Sequence, residues 1–312
     1  MEKLFAAIDV GTVTCRLLVA SCSRGSIVPV ARRSEFVNLG IGVDETGCIA
    51  QPALERLRGV LADYCSVVRS LGEAGSIPVR AVATSACRDA ANASQVERIF
   101  ADCGLGLRII EGTQEAAYSF AGASMGYDGQ HLLVSDIGGG STELIAGIGG
   151  GQVSLAHSFN IGCRRLTERF LHSDPPLPEE LIAARAWVRP QLAEFFERAA
   201  QAGCRIDRLV SVAGTATSVI SMRDGMAVYD PERVQGSVAT RAQLSALVQR
   251  LSAMTNQQRE HVVGLQPKRA GVIVAGLLIL EEVMDAAGVE CFTASENDIL
   301  QGIVMHMARE DQ

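Results

Sequence analysis

Aromatic residues make up only 4% of the 312-residue chain, with a single tryptophan. Proteins that stack single-stranded bases need aromatic platforms, so that class is disfavoured. A surplus of positive charge is also missing: the net charge is −7 and the pI about 5.4. Nucleic-acid binders are usually basic overall. No nucleic-acid partner is therefore expected, and a polyanionic ligand must be held by a local site. The nine cysteines are scattered, odd in number, and never spaced Cys-x-x-Cys. That spacing suggests neither a zinc site nor a disulfide framework, and the cysteines read as small buried apolar residues in a reducing compartment. The five histidines stand apart from one another, so they offer no metal cluster. Long apolar runs are lacking as well. The longest, Ala270 to Leu280, is too short to span a bilayer and is followed by Glu281 and Glu282; it reads as a buried helix. No signal-peptide pattern precedes the first motif. The chain is expected to be soluble and cytoplasmic, with no membrane partner.

Apolar residue is plentiful. Hydrophobic residues are 48% of the chain and mean hydropathy is +0.20, enough for large cores. The length suggests two domains, and the small, glycine-rich stretch Gly122 to Gly129 marks the boundary. The expected division is 1–124 and 125–312, with the last helix able to pack on the first domain. Apolar periodicity predicts three meandering strands from Phe5 to Val37, with a turn at Ser23-Arg24-Gly25, then a helix from Pro52 to Gly72. A strand at Val79 to Ala83, a helix capped near Asn92, a strand at Leu107 to Ile110 and a helix starting beside Gln114 and Glu115 complete the first half. The same β-β-β-α-β-α-β-α order recurs after Leu132, with Tyr229 to Val238 read as a loop.

The chemistry concentrates in Leu132 to Gly147, LLVSDIGGGSTELIAG. An apolar run ends in Asp136; Gly138, Gly139, Gly140, Ser141 and Thr142 follow; a second apolar run carries Glu143. This is strand, tight turn, strand. Glycine permits a positive φ and lets an anion approach the amides. Successive N–H groups form a concave anion site, to which the hydroxyls add donors. Asp136 and Glu143 are hard oxygen ligands able to hold a divalent cation beside a phosphate. Taken alone, the same letters also fit a glycine-rich hairpin that binds nothing.

A second copy shifts that balance. Ala6 to Ala20 reads AAIDVGTVTCRLLVA, and laying Asp9 on Asp136, 127 residues on, puts Gly11 on Gly138, Thr14 on Ser141 and Arg16 on Glu143. A repeat of this length implies two related halves, each opening with a phosphate hairpin. Two such hairpins facing across a cleft would clamp a phosphate chain, with Gly11, Thr12 and Thr14 supplying the first cradle.

The runs AIDVGTVT, ATSACRDAAN, IIEGTQEA, DIGGGSTEL, NIGCRRLTERF, VAGTATS and KRAGVIVAGLLIL together resemble the exopolyphosphatase / guanosine pentaphosphate phosphatase (Ppx/GppA) family, nearly end to end. The resemblance implies an α/β fold of two RNase-H-like domains, of the superfamily of actin, sugar kinases and heat-shock ATPases, with an interdomain cleft. It further implies Mg²⁺-dependent release of terminal phosphate and a homodimer. Glu115 matches the family's catalytic glutamate, and hydrolysis needs a carboxylate to orient and deprotonate a water. Arg88 matches the family's A-T-S-x-x-R run and would contact phosphate and balance transition-state charge. Arg164 and Arg165 match its G-x-x-R-L run and would bind farther phosphates. Asp9, Asp136 and Glu143 would hold Mg²⁺ or another divalent cation. Departures stand at Val13, Gln114, Ala117, Gly271, Leu300 and Gln301, where the family commonly has Asn, an acid, Arg, Asp, Arg and Glu. These bear on substrate choice and turnover more than on reaction class. The expected function is an exopolyphosphatase. The alternatives are a guanosine pentaphosphate 5′-phosphohydrolase, or a weakly catalytic protein that binds alarmone or polyphosphate.

Overall fold

The structure, a computed structural model, describes residues 3–23, 26–73 and 75–311. Arg24 and Gly25 of the expected first turn lie outside the described residues. The chain divides into two compact units, Met1–Gly122 with Ile299–Gln312, and Ala123–Asp298.

The first unit runs β1 (Leu4–Val10), β2 (Thr14–Ser23), β3 (Ser26–Phe36), α1 (Val43–Thr46), α2 (Gln51–Ser70), β4 (Val79–Ala83), α3 (Ser85–Asp89), α4 (Ser94–Asp102), β5 (Leu107–Ile109) and α5 (Gly112–Ala123). Its sheet has the order β3-β2-β1-β4-β5. The first three strands are antiparallel and β4 and β5 lie parallel to β1. Both faces of β1 and β2 are apolar, because both are covered. Ala6, Ile8, Val10, Leu17 and Val19 pack with Leu54, Leu57 and Leu61 of α2. Phe5, Ala7, Leu18 and Ala20 face the other way. The Tyr64 hydroxyl donates to the Cys15 carbonyl at 2.7 Å and ties α2 to β2.

The second unit runs β6 (His131–Ile137), β7 (Thr142–Ile148), β8 (Val153–Phe159), α6 (Cys163–Phe170), α7 (Pro178–Gln201), β9 (Arg208–Val212), α8 (Ala213–Arg223), α9 (Pro231–Val234), β10 (Val238–Thr240), α10 (Arg241–Ser252), α11 (Asn256–Arg259), α12 (Ala270–Ala287) and β11 (Cys291–Ala294). Its sheet order is β10-β11-β9-β6-β7-β8. The apolar run in α12 is a buried helix, and the buried Glu281 and Glu282 at its end are met by Arg185 and Arg189 of α7. A buried carboxylate without such a partner would be strongly destabilising. The final helix, α13 (Ile299–Glu310), belongs to the first unit. There Ile299, Leu300, Ile303 and Val304 cover the Phe5, Ala7 and Leu18 face. A Cβ at Gly302 would stand 1.9 Å from the Tyr118 carbonyl oxygen, so only glycine lets α13 lie this close to α5.

The 127-residue repeat is present in the backbone register. Asp9 pairs with Arg16 across β1 and β2, and Asp136 with Glu143 across β6 and β7. Asp9 also lies beside Val82 of the parallel β4, and Asp136 beside Val212 of the parallel β9. Two expectations need correction. Asn92 does not cap α4; its amide accepts from Ile49 N–H at 2.8 Å and donates to Ile49 C=O at 2.9 Å, pinning the segment before α2. Tyr229 to Val238 is not wholly loop: Asp230 caps the short α9 by accepting from Glu232 and Arg233 N–H, and β10 follows.

Candidate active site

In each unit three parallel strands end on the same side, where ligands of open α/β sheets collect. In the first unit β1, β4 and β5 lead into the Gly11 turn, α3 and α5. The Gly11 N–H donates to Thr14 C=O at 2.9 Å and closes the hairpin. Thr12 is buried, with its methyl group filling the space where a Cβ on Gly40 would lie. Asp9 is buried at the end of β1, on the face that carries Phe5 and Ala7. Arg16, its partner across the strands, donates to Asp9 Oδ2 from Nε at 3.1 Å and from Nη2 at 2.6 Å. The first hairpin thus carries a carboxylate–guanidinium pair. A cation taken by Asp9, as expected from the sequence, has to share that carboxylate with Arg16.

Glu115 lies in the first turn of α5 and is 7% exposed. Arg88, the last basic residue of α3, donates from Nη1 to Glu115 Oε2 at 2.7 Å and to the Ile110 carbonyl at 2.8 Å. One guanidinium therefore ties together the end of β5, the start of α5 and the end of α3. Sequence reasoning expects Arg88 to contact phosphate; in the structure its guanidinium holds the Glu115 carboxylate in place.

In the second unit the Gly138 N–H donates to Ser141 C=O at 3.0 Å, the same closure as at Gly11. Neither Gly11 nor Gly138 adopts a positive φ, contrary to one of the two expected reasons for glycine there. The structure adds a close approach within each turn. A Cβ at either would sit 3.2 Å from the closing carbonyl oxygen. The first turn of α6 packs directly on the loop: Cys163 N–H donates to Gly138 C=O at 2.9 Å, and Arg164 N–H to Gly139 C=O at 2.8 Å. A Cβ on Gly162 would meet the Gly139 oxygen at 2.3 Å and the Gly140 nitrogen at 2.4 Å, so no side chain fits there. Arg165 Nε donates to Gly140 C=O at 2.9 Å. Both arginines therefore hang from the rim of the glycine turn. The Thr142 hydroxyl points inward, donating to Ile161 C=O at 2.5 Å in a fully buried position. That bond ties the start of β7 to the loop before α6.

Asp136 and Glu143 are both buried and directly opposed on neighbouring strands, hence on one face. Ser158 of β8 donates to Glu143 Oε1 at 2.6 Å and fixes its rotamer. Among the described residues no three Asp, Glu, His or Cys side chains form a closed metal cluster. Two hard carboxylates on one face suit Mg²⁺, which keeps several waters and takes its remaining ligands from substrate phosphate. Farther along the same strand ends, Gly214 opens α8 with the Arg269 guanidinium lying where its Cβ would be, 2.0 Å from Cζ. Arg269 and Arg164 both act on Cys163, whose thiol burial pushes up while these cations pull it down. Tyr229 hydrogen-bonds Glu296, and burial followed by that carboxylate raises its hydroxyl's pKa.

The family model for the Ppx/GppA phosphatase family matches residues 18–311. The chain belongs to the Ppx/GppA phosphatase family. Exopolyphosphatase 2 of Mycobacterium tuberculosis is 38% identical, across 97% of this chain and 98% of that protein. An exopolyphosphatase-like protein of known structure aligns with a TM-score of 0.90 at 33% identity, over 98% of each chain. The Ppx-GppA enzyme of Aquifex aeolicus aligns at 0.79 and 27% identity, over 97% of this chain and 99% of the other. The protein is accordingly a hydrolase of phosphoanhydride bonds. Sequence reasoning passed over Ser158 and gave no packing role to Gly162 and Gly302. Gly162 sits inside a quoted motif; nothing local to Ser158 marks it, since its role arises only when β8 pairs with β7.

Proposed function

We propose that this protein is an exopolyphosphatase, releasing terminal orthophosphate from inorganic polyphosphate. The single observation that supports this best is the Arg88–Glu115 pair: a buried carboxylate, fixed by a guanidinium, at the opening turn of α5. Glu115 orients a water and takes its proton as the bond to the terminal phosphorus forms. Mg²⁺, when bound by Asp136 and Glu143, neutralises phosphate charge and aligns the phosphoryl group. The amides of the Gly138 turn and the guanidinia of Arg164 and Arg165 hold phosphate oxygens; Gly11, Thr12 and Thr14 form the matching turn of the first unit. We assign a cation-binding role to Asp9 of the first unit as well, its carboxylate shared with Arg16. Cytoplasmic residence and a homodimer complete the proposal; among the described residues no helix is long and apolar enough to cross a membrane.

Polyphosphate is the substrate we expect to dominate. Arginines at the rim of the turn suit a chain of repeating phosphates, whereas a nucleotide carries few. Orthophosphate release is therefore expected to be faster from long-chain polyphosphate than from guanosine pentaphosphate, compared side by side at equal terminal-phosphate concentration. A clear preference for the nucleotide would reassign the protein as a pentaphosphate phosphohydrolase. Binding of both without release would make it a sensor.

A further inference from the structure

The core that β1 and α2 share in the first unit stays open at one end. A cavity of about 450 Å³ enters there, bounded by the last turn of α2, the loop before β4 and the loop between α4 and β5. Ile8, only 1% exposed, stands in its wall with the buried Ile77 and the partly buried Val68 and Leu105. The cavity thus reaches down to the sheet. Gly104 and Gly106 also line it, and a Cβ on either would meet nothing within 4 Å, so the rim is bare on that side. Arg69, exposed in the last turn of α2, is the only charged residue among the described ones that line it. Among the described residues no carboxylate lies within ion-pair distance of it. The cavity lies beside Val79, the first residue of β4, and just before β5. Arg88 and Glu115 follow the opposite ends of those strands.

We propose that this cavity is a second binding site, for a small amphipathic carboxylate whose tail lies against Ile8, Val68, Ile77 and Leu105 and whose head meets Arg69. Small-molecule sites are mostly apolar concavities of about 300–1,000 Å³, with a few polar groups that fix the ligand's orientation. This cavity has that size and that make-up. The apolar walls favour a hydrocarbon tail, because contact with them removes it from water. A guanidinium matches a carboxylate through two parallel N–H···O bonds. One cation also answers one negative charge. A phosphate chain or a nucleoside triphosphate would press further charges against an apolar wall, and charge left unpaired there is costly. A wholly apolar ligand would use the walls but leave the guanidinium without a partner. The cavity therefore selects against the substrate of the hydrolytic site.

The test titrates the full-length chain with octanoate and with 1-octanol, its uncharged counterpart, following the Ile8 and Ile77 methyl signals by NMR. Octanoate is expected to fill one saturable site and shift both signals, whether or not saturating orthophosphate is present. Arg69→Gln is expected to weaken octanoate about fivefold, the upper range for an ion pair open to water. Octanol is expected to bind wild type and variant alike, which also reports that the variant's cavity is intact. Four outcomes would overturn the proposal: no saturable octanoate binding, binding that leaves Ile8 and Ile77 unshifted, displacement of octanoate by orthophosphate, or equal octanoate affinity in Arg69→Gln. The first three are read on the wild-type chain without any variant.

Discussion

Glu115→Gln is expected to lower kcat for polyphosphate hydrolysis by about 10²–10⁴-fold, the usual contribution of a general base. Phosphoryl transfer asks little covalent chemistry of the protein, since positioning and charge stabilisation carry most of it. What remains is one water that must be aimed and deprotonated. The amide keeps the shape of the side chain and can still accept from Arg88 Nη1, so the tie between α3, β5 and α5 survives. Affinity for polyphosphate and the thermal midpoint are expected to stay near those of the wild type. Steady-state kinetics, direct binding and a melt on the same preparation check all three. Turnover within about threefold of wild type would exclude Glu115 as the base, because even the low end of the range is larger.

Asp136→Asn carries the second large effect. Asp136 and Glu143 are the two buried carboxylates that share a face of the second hairpin. An amide is a far poorer Mg²⁺ ligand than a carboxylate. Loss of a residue that merely orients a ligand typically costs 10–100-fold in metal affinity or activity. Loss of a ligand itself is expected to raise the Mg²⁺ concentration for half-maximal rate by at least about that factor. A titration of initial rate against Mg²⁺ measures it. Wild-type activity at every Mg²⁺ concentration would remove Asp136 from the cation site. The same titration on Ser158→Ala separates ligand from support: the serine donates to Glu143 and has no carboxylate to offer a cation, so its loss is expected to shift the curve less.

The sequence made the repeat legible because strand residues alternate with a period of two. Placing Asp9 on Asp136 fixed which face each following residue would occupy, and the observed register obeys it. The helix start at Glu115 was legible because an acidic residue suits the first turn of a helix; its proposed role in hydrolysis was legible only through the family resemblance. Packing contacts were not legible. Gly162 and Gly302 read as ordinary glycines until the Gly139 backbone and the Tyr118 carbonyl are seen against them. The bond from the Thr142 hydroxyl to the Ile161 carbonyl is likewise seen only in the fold. Arg88 shows the same gap: an arginine in a phosphatase motif invites a phosphate, and only the fold reveals the glutamate 2.7 Å away. The departure at Leu300 also takes on meaning only in the fold, where an apolar residue packs into the core beside Phe5 and Leu18.

The central claim is Mg²⁺-dependent hydrolysis from the chain end. Its most direct test follows the products of long-chain polyphosphate by gel and by orthophosphate assay, at early conversion, with Mg²⁺ and with chelator. Orthophosphate as the only small product from the outset, without fragments of intermediate length, and none in chelator, is the predicted result. Intermediate fragments appearing ahead of orthophosphate, or an equal rate in chelator, would contradict it.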